Sequence, residues 1–214
     1  MHLVAATYNL SAVLGSHLTT SLFVSGVFVF GLSGGLAGAR KNFDVFGVTV
    51  LAGIVGLAGG ALRDTFLGIP AMAVFDWRMV LAVVAAGCVA FVAHGPLLRL
   101  HYPIQILDAI GLALFSVVGT DISLLHHATP LAAILLGMAT GIGGGVVRDL
   151  VLNEVPQVLH SGLYAIPSLM GASLVAIGNE LKLLSLWWCV MAGVVCLGVR
   201  LVGIIYDVDL PRAR

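Results

Sequence analysis

Residues 59–64 read GGALRD, and residues 144–149 read GGVVRD. The arginines of the two blocks stand 85 positions apart (148 minus 63), in a chain of which only 9% is charged. Because Arg and Asp are rare here, the doubled Gly-Gly-x-x-Arg-Asp block indicates an internal repeat. The same offset aligns Phe30 with Phe115, which extends the match beyond the blocks.

The composition predicts a membrane protein. The 214 residues are 60% hydrophobic, and the mean hydropathy is +1.11. A soluble domain carries about 25% charged residues, so this chain could not cover a soluble surface. A spanning helix needs about 20 apolar residues, and we predict an all-α integral membrane protein with a single membrane domain and seven transmembrane helices. Their expected bounds are 17–39, 45–67, 77–93, 104–125, 130–152, 161–178 and 183–206.

The two repeats are expected to be inverted relative to each other. Repeat one covers about residues 17–96 and repeat two about 104–180, with the seventh helix, about 183–206, outside both. Adjacent copies of a three-helix unit must insert with opposite orientations. The bias of positive charge towards the cytoplasm then places the N-terminus outside and the C-terminus inside a prokaryotic inner membrane. The residues counted on the inner side are Arg40, Lys41, Arg99, Arg212 and Arg214, against Arg78 and Lys182 outside.

Glycines cluster just before each Arg-Asp pair. Glycine in a membrane helix permits close packing of a neighbour, or it permits a break that frees backbone carbonyls near the midplane. Three consecutive glycines exceed the need of packing, and we therefore expect the second and fifth helices to be broken or kinked. The residues of these expected bends are Gly59, Gly60, Gly143, Gly144 and Gly145.

The Arg-Asp pairs lie inside their predicted spans, where a charge costs at least about 2.5–3.5 kcal/mol. Neighbouring residues point about 100° apart on a helix. We therefore expect cross-pairing near the middle of the membrane, with Arg63 against Asp149 and Arg148 against Asp64. The alternative is that the pairs only clamp the two repeats together.

Other chemistry is not indicated. The formal net charge is zero, which gives no electrostatic reason to bind nucleic acid. The three cysteines lie in apolar runs, and their spacing fits neither a metal site nor a disulfide framework. No nucleophile–base arrangement is apparent, so we expect neither an enzyme nor a cofactor. Lys41 and Asp44 are candidates for a pore mouth, Asp108 for either the pore or the interface, and Asp121, His126 and His127 are weaker signals.

Three stretches carry a resemblance to a known family. They are residues 39–47, which read ARKNFDVFG, the doubled Gly-Gly-x-x-Arg-Asp block, and residues 108–120, which read DAIGLALFSVVGT. Together they resemble the prokaryotic homologues of trimeric intracellular cation (TRIC) channels, over about residues 20–205. The position after Asp121, often basic in that family, is Ile122 here.

The resemblance implies a seven-helix fold and a homotrimer in the lipid bilayer, with a separate pore in each subunit. It implies passage of the monovalent cations K⁺ and Na⁺, between the first, second, fourth and fifth helices. The expected bends of the second and fifth helices would line this pore. Ion-pathway or gate roles would then fall on Lys41, Arg63, Asp64, Arg148 and Asp149. Bacterial relatives have also been labelled glycine transporters.

Three functions therefore stay open from the sequence. The first is a K⁺ and Na⁺ channel with gating at the glycine-rich bends. The second is a secondary transporter of a small zwitterionic amino acid such as glycine, for which inverted repeats with broken helices are well suited. The third is a structural membrane protein in which the polar pairs act only as clamps.

Overall fold

Seven α-helices and one short 3₁₀ helix make up the part of the chain that the structure describes. The computed structural model describes residues 16–71, 76–99, 102–160 and 163–207, and it has no strand within those ranges. The predicted all-α architecture is confirmed. The helices are α1 (Ser16–Arg40), α2 (Val45–Leu67), α3 (Trp77–Leu97), α4 (Pro103–Leu125), α5 (Pro130–Val151), α6 (Ala165–Glu180) and α7 (Leu186–Ile205), with the 3₁₀ turn at Gln157–Leu159.

Six of these helices are long and apolar enough to cross a membrane, and α6 is the exception. It has 16 residues, which is about 24 Å of helix at about 1.5 Å per residue. The predicted start of that span at Ser161 lies outside the described residues, as do Arg212 and Arg214. Helix α3 runs one turn past its predicted end, through Pro96. Proline there removes a single backbone donor in the last turn.

The ends of the helices repeat with the same offset as the sequence blocks. Helix α2 begins after Asp44, whose side chain accepts from the backbone N–H of Gly47 at 2.7 Å. Helix α5 begins after Thr129, whose hydroxyl accepts from Ala132 N–H at 3.4 Å. Asp44 and Thr129 occupy equivalent positions of the two repeats, so the caps that start these helices belong to the repeated unit.

The repeats pack through reciprocal contacts. Built on the backbone, a Cβ at Gly59 would overlap the carbonyl oxygen of Thr140, and one at Gly144 would lie 2.6 Å from the carbonyl oxygen of Val55. Val55 and Thr140 are again equivalent positions. Each repeat therefore presents a glycine to the other's carbonyl, as a two-fold axis requires. From Val55 to Gly59 the residue numbers increase along α2, while those of their contact partners on α5 decrease from Gly144 to Thr140. The two helices are therefore antiparallel, and the repeats are inverted.

The predicted break in the second and fifth helices is wrong, while the alternative of a kink in them stays a prediction. Both helices run without interruption, α2 from Val45 to Leu67 and α5 from Pro130 to Val151. The glycines instead let the two backbones touch where α2 and α5 cross. A Cβ built on Gly143 would lie 3.0 Å from the Cα of Gly59. Close packing of small residues therefore explains the glycine clusters, because any side chain would hold the helices apart.

Candidate functional site

One face of α1 runs past both Arg-Asp pairs. Phe23, Phe30 and Ala37 follow each other at seven-residue spacing, with Ser33 between the last two, and all four are buried. This spacing keeps them on one side of the helix. From the start of α1 towards its end, the face meets the first Arg-Asp pair, then an aromatic constriction, then the second Arg-Asp pair.

We name the two clusters outer and inner after the orientation predicted from the sequence. The outer cluster lies near the end of α2 and is buried. Arg63 and Asp64 are fully buried, and Arg63 Nε donates to Asp64 Oδ1 at 2.9 Å. The guanidinium lies over the ring of Phe23, 5.1 Å from its centroid, a cation–π geometry. Its Nη1 atom has no hydrogen-bond partner among the residues that the structure describes.

The inner cluster lies near the end of α5 and is a polar network. Arg148 Nε donates to Asp149 Oδ1 at 2.9 Å, and Arg148 Nη1 donates to Asp108 Oδ1 at 2.7 Å and to Ser33 Oγ at 3.0 Å. Tyr164 donates its hydroxyl proton to Asp108 Oδ2 at 2.7 Å. Arg148 is thus neutralised by two carboxylates, and both of its partners from outside α5 are buried.

The predicted cross-pairing of Arg63 with Asp149 and of Arg148 with Asp64 is wrong. Each arginine pairs with the aspartate next to it in the sequence. The long arginine side chain curls back far enough to reach its neighbour, although the two Cα–Cβ directions diverge. The antiparallel crossing carries the two pairs in opposite directions, about 15 Å apart along the helix axes at about 1.5 Å per residue.

Three phenylalanines separate the two clusters and form what we call the aromatic constriction (Phe23, Phe30 and Phe115). Phe115 of α4 stacks on Phe23 with ring centroids 5.1 Å apart and lies 5.3 Å from Phe30. The glycines Gly26 and Gly111 leave room for these rings, since a Cβ at either position would press on one of them. The three rings fill the space between the two clusters with apolar groups.

The two repeats carry different residues around their arginines, and these account for the difference between the two clusters. Phe23 occupies the position in repeat one that Asp108 occupies in repeat two, and Met79 occupies the position of Tyr164. The inner arginine therefore has a carboxylate and a phenol where the outer arginine has a ring. Asp108 was only a weak candidate in the sequence, and the offset of 85 that pairs it with Phe23 was the signal that could have set it apart.

A polar cavity of about 70 Å³ opens beside the inner cluster. Each water needs about 10–15 Å³ on this measure, so the cavity has room for roughly five. Its polar lining comes from the ends of α1, α4 and α5 and the loop after α5. The lining residues are Ala37, Arg40, Ile104, Gln105, Arg148, Asp149, Leu152, Glu154 and Gln157.

An ion pair lies beside this cavity, which Glu154 helps to line, and we call it the mouth bridge (Lys41 and Glu154). Lys41 Nζ lies 2.7 Å from Glu154 Oε1, and Arg40 approaches the same oxygen at 3.9 Å. The hydrogen bond from Lys41 lowers the pKa of the Glu154 carboxyl below its usual range. The mouth bridge joins the end of α1 to the loop after α5.

The remaining candidates lie elsewhere. Asp44 caps α2 at the surface, while Asp121 is fully buried in α4. His126 and His127 are exposed in the turn that follows α4. Within the described parts of the chain, no group of three or more His, Cys, Asp or Glu side chains is placed to hold a metal ion.

Sequence reasoning missed Arg200. This arginine of α7 is buried, and Nη1 donates to the backbone oxygen of Leu163 at 2.8 Å while Nη2 donates to Gln157 Oε1 at 3.3 Å. Its guanidinium also lies 4.5 Å from the ring centroid of Tyr164. The signal was present, because Arg200 is the one charge inside the apolar run 186–205.

Comparison with protein families gives a match in two segments. The family model described as glycine transporter matches residues 20–95 and 105–180. Both ends of the second segment are displaced by 85 residues from those of the first, which is the offset of the repeat found in the sequence. The chain is also similar to curated bacterial membrane proteins and to solved structures.

Two relatives are UPF0126 proteins. The UPF0126 membrane protein of Deinococcus radiodurans is 37% identical over 70% of this chain and 71% of its own length. The UPF0126 inner membrane protein YadS of Escherichia coli K12 is 33% identical over 89% and 93%. Among structures, the TRIC trimeric intracellular cation channel orthologue from Rhodobacter sphaeroides superposes with a TM-score of 0.84 at 30% identity, covering 90% of this chain and all of that one.

Proposed function

We propose a function from one premise: the chain belongs to the UPF0126 family and is a prokaryotic member of the TRIC family. The proposed function is a passive channel for the monovalent cations K⁺ and Na⁺, with a pore inside each subunit of a homotrimer. The relative from Rhodobacter sphaeroides is a trimeric cation channel by its description, and this supports both parts of the proposal. The permeant ions need no cofactor, and no catalytic step is proposed.

The observation that carries the proposal is the face of α1 with its sequence of polar cavity, aromatic constriction and outer pair. The proposed path enters at the mouth bridge, passes Arg148 and Asp149, crosses the aromatic constriction and leaves past Arg63 and Asp64. Fixed arginines do not oppose cation flow here, because each is neutralised by an adjacent carboxylate and Arg148 by two. The proposed path runs beside the packed crossing of α2 and α5, to which Gly59, Gly60, Gly143, Gly144 and Gly145 belong.

We propose that this path has two gates, both closed in the described conformation. The first is the aromatic constriction, since hydrophobic constrictions of this kind gate by dewetting. The second is the mouth bridge, which lies beside the polar cavity. Opening therefore requires the rings to separate and the mouth bridge between Lys41 and Glu154 to part.

The primary test is reconstitution of the purified protein in planar bilayers under a KCl gradient. We expect unitary currents that are ohmic near zero voltage and reverse on the K⁺ side of zero. Native mass spectrometry in detergent on the same preparation is expected to give the mass of three chains. Currents that reverse on the Cl⁻ side, or protein that conducts nothing while it transports a solute, would reject the channel.

A charge exchange tests the mouth bridge. We expect Glu154→Lys to raise the open probability, because it places a third positive charge beside Arg40 and Lys41. The double variant with Lys41→Glu and Glu154→Lys restores an opposite pair and is expected to return the open probability towards that of the parent. Arg78→Gln is the matched control, since Arg78 forms a pair of similar length with Asp76 at the other end of the protein. An open probability that is the same in all four proteins would eliminate the mouth bridge as a gate.

One observation favours a second function, transport of a small zwitterion such as glycine. The inner cavity presents the guanidinium of Arg148 beside the carboxylate of Asp149, which suits a carboxylate and an ammonium group in one ligand. The family model that matches the chain carries the description glycine transporter. Saturable uptake of labelled glycine by the same proteoliposomes, with no unitary current, would favour this function over the channel.

The proposed location is the inner membrane of a prokaryote, with the N-terminus outside and the C-terminus in the cytoplasm. The UPF0126 protein of Escherichia coli is described as an inner membrane protein. Arg40 and Lys41 follow α1 and Arg99 follows α3, whereas Arg78 begins α3 and Lys182 follows α6. The alternation of the helices therefore keeps the positive excess on the side of the inner cavity.

A further inference from the structure

Arg200 lies outside the repeat but reaches both arms of the inner cluster. One arm is Tyr164, whose ring lies under the guanidinium and whose hydroxyl donates to Asp108. The other arm is Gln157, whose side-chain oxygen accepts from Arg200 at 3.3 Å and whose backbone N–H donates to Asp149 at 2.9 Å. Each arm ends on one of the two carboxylates that neutralise Arg148.

We infer that Arg200 is a positioning residue for Arg148 and sets the electrostatic potential of the inner cavity. It does so without touching the cavity, because it fixes Tyr164 and Gln157 and these fix Asp108 and Asp149. The inference deepens the proposed function, because this cavity is the inner end of the proposed path. It rests on the proposed function only where it concerns ion conduction.

The geometry explains why an arginine is needed. Nη1 and Nη2 of one planar guanidinium donate to two different segments, the backbone of Leu163 and the side chain of Gln157, while the flat face covers Tyr164. A lysine ammonium offers a point charge and no flat face, so it cannot make this set of contacts at once. The loop between α5 and α6 is thereby tied to α7 at three points.

Repeat one shows what the cluster is without this arrangement. Met79 and Phe23 stand there in place of Tyr164 and Asp108, and Arg63 keeps only its own neighbouring aspartate. Arg148 is therefore held by contacts that repeat one lacks. Without Arg200 we expect the two carboxylates to move apart from Arg148, which then turns its charge into the cavity.

The test reads the potential of the cavity with a thiol probe. Gln105→Cys is placed in a background with Cys88, Cys189 and Cys196 replaced by Ala, because Gln105 lines the cavity. The measured quantity is the ratio of its reaction rates with an anionic and a cationic methanethiosulfonate, applied from the inner side. A rise in local positive potential raises this ratio.

We expect Arg200→Gln to raise the ratio at least about twofold, the lower end of the coupling between residues of one network. Tyr164→Phe removes only the hydroxyl that holds Asp108 and is expected to shift the ratio in the same direction, with Arg200→Gln adding less in that background than alone. Arg200→Lys is expected to behave like Arg200→Gln, because charge alone does not replace the contacts.

Arg63→Gln is the matched control, since it removes an equally buried arginine at the other end of the proposed path. It is expected to destabilise the protein and leave the ratio unchanged. A ratio that stays constant in Arg200→Gln, or that changes equally in Arg63→Gln, overturns the positioning role. A Gln105→Cys side chain that reacts in no background overturns the accessible cavity on which the inference depends. Neither outcome bears on ion flow, which the bilayer currents test separately.

Discussion

The crossing of α2 and α5 predicts that Gly144→Ala destabilises the protein. The added methyl would lie 2.6 Å from the carbonyl oxygen of Val55 and 3.3 Å from Cδ1 of Phe30, whereas non-bonded contacts are optimal at about 3.5–4.0 Å. A helix backbone cannot rotate away, so the two helices must separate. Overpacking costs up to about 3 kcal/mol, and replacing Gly by Ala in a helix returns about 1 kcal/mol. We expect a net loss of about 2 kcal/mol of unfolding free energy.

Unfolding of the purified variants by SDS titration in mixed micelles measures this loss. Gly198→Ala is the control, because no described atom lies within 4 Å of a Cβ at that position on α7. It is expected to be neutral or stabilising by up to about 1 kcal/mol. Gly59→Ala, the equivalent position of repeat one, is expected to match Gly144→Ala in sign and to cost at least as much, because its Cβ would lie closer to the carbonyl oxygen of Thr140. If Gly144→Ala is as stable as Gly198→Ala, the crossing is not tightly packed and the reasoning from close contact is refuted.

Three further predictions concern conduction and orientation. Phe115→Leu replaces one ring of the aromatic constriction by a smaller side chain and is expected to increase the unitary K⁺ conductance. An unchanged conductance would place the path elsewhere. When the inner side is acidified, the open probability is expected to stay constant down to about pH 4.3, the ordinary pKa of Glu. It is expected to rise below the lowered pKa of Glu154, because the carboxyl then gains a proton and the mouth bridge to Lys41 is lost. A rise of the open probability near neutral pH would contradict this. In spheroplasts, a membrane-impermeant maleimide is expected to label Lys182→Cys from outside and Asp44→Cys only after lysis, and the reverse pattern would invert the topology.

The sequence predicted the helices well because the signal is simple. Long apolar runs with almost no charges admit few alternatives in a membrane, since every backbone group must be satisfied within a helix or a closed barrel. The repeat was equally accessible, because Arg63 and Arg148 are rare residues in matching contexts. The bounds of α6 were less certain, because that helix has only 16 residues and the turn before it carries polar residues.

The positions of the charges could not be read in the same way. The expectation that the pairs meet near the middle of the membrane used the symmetry but not the distance from the axis. The axis passes between the reciprocal contacts of Gly59 and Gly144, near positions 57 and 142, and Arg63 and Arg148 stand about one and a half turns beyond it in opposite directions. Inverted equivalents meet only when they lie on the axis, and the offset alone does not locate the axis.

The partners of the arginines were also beyond pairwise reasoning from the sequence. Asp108, Tyr164 and Arg200 lie on three different helices or their ends, and only the packing of those helices brings them to Arg148. Glycine runs were ambiguous for a related reason. Whether Gly143 breaks a helix or admits a neighbour depends on what lies opposite, and opposite lies the backbone of Gly59.

The divergence between the repeats carries more functional information than their similarity. An inverted repeat by itself gives two equivalent ends, each with an Arg-Asp pair. Repeat two has Asp108 where repeat one has Phe23, and this gives the inner arginine a second carboxylate. The seventh helix adds Arg200 to that end alone. The inner end therefore combines a polar cavity with a held charge, while the outer end is a buried pair under an aromatic ring. Because the repeats alone would make the two ends alike, any difference in how ions enter from the two sides must come from the residues at which the repeats differ and from the seventh helix.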